Sequence, residues 1–212
     1  ILLQLLGPYA VSASDLNFTT YANDPSTWNG KVQRDFSQLV STRPDLQASN
    51  SIIENIRVPV SGQNAGWMVN GTFLPVINNL QDCGANATCT REQLRRKTNF
   101  LKLKAAHFFA SPQDDIQSPW QTSILGRYSE VASIDEIETK FASLKIIPMT
   151  ETREYTQDLY GLKTLDKAGK LHLHPVAGVG HNCWLFDYLP QNTNVTCLHD
   201  PIYSANVYPV LV

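Results

Sequence analysis

Between residues 100 and 182, apolar runs and polar loops alternate in an order that few folds accommodate. The run Leu101-Lys102-Leu103-Lys104-Ala105-Ala106-His107-Phe108-Phe109 predicts a strand. It stops at a polar, proline-bounded loop, Ser111-Pro112-Gln113-Asp114-Asp115-Ile116-Gln117-Ser118-Pro119-Trp120. A short apolar segment at 145–148 precedes a helical pattern over 151–168, which Gly169 ends. A second strand, Leu171-His172-Leu173-His174-Pro175-Val176, runs into the loop Gly178-Val179-Gly180-His181. Strand, acidic loop, helix, strand, histidine loop is the pattern of a parallel sheet with crossover helices, an α/β fold. In open sheets of that kind, functional groups gather at the C-terminal strand ends, where Asp114 and His181 both fall.

The preceding half is less regular. Residues 31–42 carry helical spacing, with Val32, Phe36, Leu39 and Val40 on one face. Residues 47–67 are polar and rich in Gly, Asn and Ser around one strand-like run, Ile56-Arg57-Val58-Pro59-Val60, and read as a surface insertion. Residues 73–78 are apolar, and Thr90 is the expected N-cap of a basic helix. The opening Ile1-Leu2-Leu3-Gln4-Leu5-Leu6 is short, interrupted and without a basic flank, which suits a helix fragment better than a signal peptide. No apolar run approaches the roughly eighteen residues of a membrane span.

Composition narrows the partners. A formal net charge of −2 over 212 residues provides no field for a polyanion, so nucleic acid is not expected. Four Asn-x-Ser/Thr sequons occur, at Asn17, Asn70, Asn86 and Asn194. The four cysteines bracket two of them: Cys83 and Cys89 flank Asn86, and Cys183 and Cys197 flank Asn194. Of three possible connectivities, the two local pairs are the simplest. Sequons and an even cysteine count favour the secretory pathway. No Cys/His spacing of the zinc type is present.

An Asp after one strand and a His after a later one match the second half of a Ser…Asp…His triad order. In such a triad the His takes and returns the serine proton, and the Asp fixes the imidazole tautomer. Spacing alone is weak evidence, but the residues carry more. The stretch at 151–169, including Tyr155-Thr156-Gln157-Asp158-Leu159-Tyr160-Gly161-Leu162-Lys163-Thr164-Leu165, the histidine loop Val176-Ala177-Gly178-Val179-Gly180-His181, and the acid loop followed by Gly126-Arg127-Tyr128 resemble the palmitoyl-protein thioesterases. Tyr21-Ala22-Asn23-Asp24-Pro25 and Asn70-Gly71-Thr72-Phe73-Leu74-Pro75 are similar to motifs of that family's lid.

The resemblance implies an α/β-hydrolase, present here as the C-terminal part of a mostly parallel sheet with a helical lid. It divides the chain into a lid region at 1–99, with its insertion near 43–67, and the C-terminal half of the core at 100–212. It places the catalytic acid at Asp114, with Asp115 as rival, and the base at His181. It implies hydrolysis of a long-chain acyl thioester without a cofactor or metal, in a lysosomal or extracellular setting.

The family nucleophile sits on a Gly-x-Ser-x-Gly elbow, and no such pentapeptide occurs in these 212 residues. The expectation is a companion segment or chain that carries it, with this chain starting inside the lid. Two other readings are a non-catalytic glycoprotein on a hydrolase scaffold and a lipid-binding module. His172 and His174 alternate on one strand face and are expected to form a hydrogen-bonded pair rather than a metal site, while His107 and His199 belong to no cluster. Of Trp67, Trp120 and Trp184, Trp120 is the best candidate for an acyl groove, although core packing is the commoner role.

Overall fold

The computed structural model describes residues 30–43, 45, 56–61, 67–68, 71–114, 117–187 and 198–211. Asn17, Asn70, Asp115, Asn194 and Cys197 lie outside them. The chain packs as two compact units, Ile1–Thr98 with Tyr128–Lys145, and Asn99–Arg127 with Ile146–Val212.

In the first unit, helix α1 (Lys31–Thr42) covers the span that the spacing predicts. Leu39 and Val40 are buried, whereas Val32 and Phe36 are half-buried. Its start is tightly packed. Gly30 holds φ +89°, and a Cβ there would stand 2.6 Å from Phe141 Cβ, so only glycine fits. Helix α4 (Asp135–Thr139) lies against α1, burying Ile137 completely, and Arg34 Nη1 meets Glu138 Oε2 at 2.6 Å. The strand-like run at 56–60 makes only a single parallel bridge, Val60 with Val131. Val58, Val60 and Trp67 are nonetheless buried, and the Arg57 guanidinium lies 5.4 Å from the Trp67 ring.

Helix α2 (Leu74–Ile77) takes up the apolar stretch at 73–78. Helix α3 (Ala87–Phe100) starts three residues before the expected cap. Asn86 caps it, accepting the Cys89 N–H at 3.0 Å, and Thr90 sits in the first turn with its hydroxyl on the Asn86 carbonyl. The Cys83–Cys89 disulfide closes the loop ahead of this helix.

The second unit holds the parallel pair. Strands β1 (Ala106–Ala110) and β4 (Leu171–Pro175) run side by side, with His107 opposite His172 and Phe109 opposite His174. Strand β1 begins later than its alternation suggests. Lys102, Leu103 and Lys104 form an exposed turn after α3, where the Leu/Lys alternation mimics a strand without a partner. Strands β2 (Arg127–Tyr128) and β3 (Ile146–Ile147) have two residues each.

The helix expected over 151–168 is two short ones, α5 (Arg153–Thr156) and α6 (Leu162–Lys167). The break has a local cause. Asp158 adopts φ +49° and its carboxylate accepts the Thr164 N–H and hydroxyl, anchoring the start of α6. Gly161, at φ +98°, passes so close to Leu101 that a Cβ would stand 2.8 Å from Cδ2. This turn drives Tyr160 and Leu162 inward, where they join Met149, Leu165 and Leu171 in the core. Burial, and then the nearby Glu154, push the Tyr160 hydroxyl pKa well above the usual range for a phenol. The C-terminal stretch comprises α7 (His199–Ile202), a π-helical turn over Tyr203–Val207 and a 3-10 turn over Tyr208–Val210. Among the described residues, no helix is long and apolar enough to cross a membrane.

Candidate active site

The acid loop leaves the C-terminal end of β1, and the histidine loop leaves the same end of β4. Because the two strands are parallel neighbours, both loops emerge side by side. The register continues one bond past the sheet, where the Val176 N–H donates to the Ala110 carbonyl at 2.7 Å. From there each loop delivers one polar side chain. His181 Nδ1 lies 3.0 Å from Asp114 Oδ2 and 3.1 Å from Oδ1.

The Asp114 side chain is 5% exposed, while that of His181 is 36% exposed. Asp114 Oδ1 also accepts the Gln117 N–H at 2.7 Å, which fixes the carboxylate from the far side. An ionised carboxylate only accepts, so it selects the tautomer with the proton on Nδ1. Nε2 is then the acceptor of the ring, and the more exposed imidazole is able to present it to an incoming group. Behind His181, the 3-10 turn His181–Trp184 buries Cys183, which is itself in a disulfide. Cys183 packs with Val179 against Val176, Trp184 and Ile202.

Sequence reasoning missed two neighbours of this pair. Ser111 is fully buried, and its Oγ accepts the N–H groups of Gln113 and Val179, each at 3.1 Å. Gln113 Oε1 accepts the Gly178 N–H at 2.6 Å. The two contacts between the loops, Val179 to Ser111 and Gly178 to Gln113, have no periodic signature, because each joins residues more than sixty positions apart.

The other histidines need two corrections. His172 and His174, expected as a buried, hydrogen-bonded pair, are half-buried, and His174 pairs with His107 instead. His107 belongs to a cluster: its ring stacks on His172 at 4.5 Å and on His174 at 5.2 Å, and its Nδ1 lies 2.9 Å from His174 Nε2. The alternation along β4 was visible, but the partner strand's contribution depends on register, which the sequence does not display. Burial, and then His172 and His174, push the His107 pKa down. Among the described residues, no group of three or more His, Cys, Asp or Glu has the geometry of a metal site. His199 lies against Tyr203, at 5.5 Å between ring centroids. Trp184 contacts Phe109, and Trp120 is half-buried at the start of the 3-10 turn Trp120–Ile124.

A buried carboxylate thus lies against an imidazole at adjoining ends of two parallel strands of an α/β unit. Comparison with known proteins gives the family. Residues 46–181 match the profile of the palmitoyl protein thioesterases, and the chain belongs to that family, whose fold is the α/β-hydrolase. Relatives include lysosomal thioesterase PPT2-B of Xenopus laevis, 31% identical over 123 residues that make up 58% of this chain and 34% of that protein. Lysosomal thioesterase PPT2 of Rattus norvegicus is 34% identical over 113 residues, 53% of this chain and 31% of that protein. The PPT2 homolog of Drosophila melanogaster is 29% identical over 112 residues, 53% of this chain and 32% of that protein. The matched stretch thus spans about a third of each of these relatives.

Proposed function

We propose that this chain supplies the acid, Asp114, and the base, His181, of a Ser–Asp–His triad that hydrolyses long-chain fatty acyl thioesters in the secretory pathway, in a lysosomal setting. The observation that carries the reading is the two-oxygen approach of the Asp114 carboxylate to His181 Nδ1 at 3.0 and 3.1 Å. Family membership and relatives described as lysosomal thioesterases support the substrate class and the compartment.

The nucleophilic serine comes from a companion segment with the Gly-x-Ser-x-Gly elbow, a motif absent from these 212 residues. His181 Nε2 removes the proton from the serine Oγ as the oxygen attacks the thioester carbonyl carbon. The imidazolium formed is stabilised by Asp114 and protonates the departing sulfur as the C–S bond breaks. A water molecule, deprotonated by the same nitrogen, then releases the fatty acid and restores the serine. No cofactor takes part.

The test is palmitoyl-CoA hydrolysis by protein that includes the serine segment. His181→Ala is expected to lower kcat by about 10⁴-fold or more, and Asp114→Asn by a comparable factor through the wrong tautomer. Asp115→Asn is expected to stay within about threefold of the parent enzyme, because it leaves the proposed pair intact. Unchanged turnover in His181→Ala would refute the triad.

A further inference from the structure

We propose that Ser111 and Gln113 are positioning residues that hold the histidine loop in register with the acid loop; this rests on the triad reading above. The pairing of Asp114 with His181 needs two separate loops to stay within a fraction of an ångström of each other. The sheet fixes them only as far as the Val176 to Ala110 hydrogen bond. Beyond that point the link passes to two side chains of the acid loop. Ser111 Oγ receives the Val179 N–H at 3.1 Å, and Gln113 Oε1 receives the Gly178 N–H at 2.6 Å.

The arrangement is specific to these atoms. Ser111 is completely buried, so its hydroxyl oxygen has no water to replace the two N–H groups it accepts, from Gln113 and Val179. Gly178 adopts φ +80°, a conformation glycine reaches without strain, which turns two successive N–H groups toward the acid loop. Within the acid loop, the Asp114 N–H returns to the Ser111 carbonyl at 3.1 Å. Ser111 therefore touches both arms: its carbonyl shapes the approach to the acid, and its hydroxyl holds the approach to the base. Losing either side-chain acceptor frees the histidine loop to shift, and a misplacement of about an ångström costs about 10²-fold in rate.

The experiment uses the active protein with its serine segment and palmitoyl-CoA as substrate. Ser111→Ala and Gln113→Met are each expected to lower kcat by about 10- to 100-fold with KM within about twofold, since substrate binding is not touched. Gln113→Glu, which retains an Oε acceptor for the Gly178 N–H, is expected to recover most of the loss. Gln113 is exposed, so Gln113→Met decides the matter if Ser111→Ala fails to fold. An unchanged kcat in Gln113→Met, or a Gln113→Glu variant as slow as Gln113→Met, overturns the inference. His181→Ala in the same assay separates the two proposals: if it is inactive while the Gln113 variants are normal, the positioning role alone fails. If His181→Ala is fully active, the triad reading itself fails.

Discussion

At Asn86 a helix cap and a sequon coincide. Its side-chain oxygen caps α3 through the Cys89 N–H, and it is also the asparagine of an exposed Asn-x-Thr sequon. The two are compatible, because a glycan attaches to the amide nitrogen and leaves Oδ1 as the acceptor. They are also separable. Thr88→Ala removes the sequon and keeps the cap, while Asn86→Ala removes both. In protein made in a secretory host, each variant is expected to lose one glycan by mass. Only Asn86→Ala is expected to lose about 1 kcal/mol of stability in denaturant unfolding, the usual worth of an N-cap. The position illustrates what the sequence discloses at this scale. The sequon was plain, but the cap was not, because Thr90 presents an equally good capping residue four positions on and only the backbone decides between them. Asp114 led Asp115 only through the family resemblance. The turn closed by the Asp114 N–H on the Ser111 carbonyl carries the Asp114 carboxylate to His181.

At the scale of elements, periodicity located α1 to the residue and both strands of the parallel pair to within a few positions, since these elements bury one consistent face. It joined α5 and α6 wrongly, because a left-handed aspartate and a close-packed glycine leave no mark on the helical repeat. It also saw only one side of the histidine stack. Strand pairing places His107 against His172 and brings it to His174, and burial together with these two neighbours disfavours charging His107. The consequence for stability has a definite sign. The pKa of His107 in the folded chain is below its unfolded value of about 6.5, so between the two the unfolded chain binds more protons. Stability is therefore expected to fall as pH drops through about 6.5, and to level off below the folded value. His107→Gln is expected to flatten that limb of a melting-temperature profile, and an identical profile in the variant would show that His107 does not contribute it. In the core beneath, Leu165→Ala is expected to cost about 2–5 kcal/mol, since Leu165 is 1% exposed and enclosed by Met149, Tyr160 and Leu171.

For the whole molecule, the proposed triad turns on where its nucleophile lies. An imidazole steered by a carboxylate is a base with nothing to activate unless a nucleophile is supplied, and these 212 residues contain no Gly-x-Ser-x-Gly elbow. The C-terminal unit also carries exposed apolar side chains close in sequence to the base: Leu185 is 72% exposed and Phe186 51% exposed. The triad reading therefore makes a prediction about material rather than about a mutant. The 212 residues expressed alone are expected to take up no fluorophosphonate probe and to leave palmitoyl-CoA intact. Protein carrying the serine segment is expected to be labelled once, on a serine that maps outside these residues, and to lose both labelling and turnover in His181→Ala. Labelling of a serine within the 212 residues, with turnover, would place the nucleophile on this chain and overturn the division of the triad. The outcome does not depend on the acyl length of the natural substrate, because the probe reports only on an activated serine and on the base that activates it.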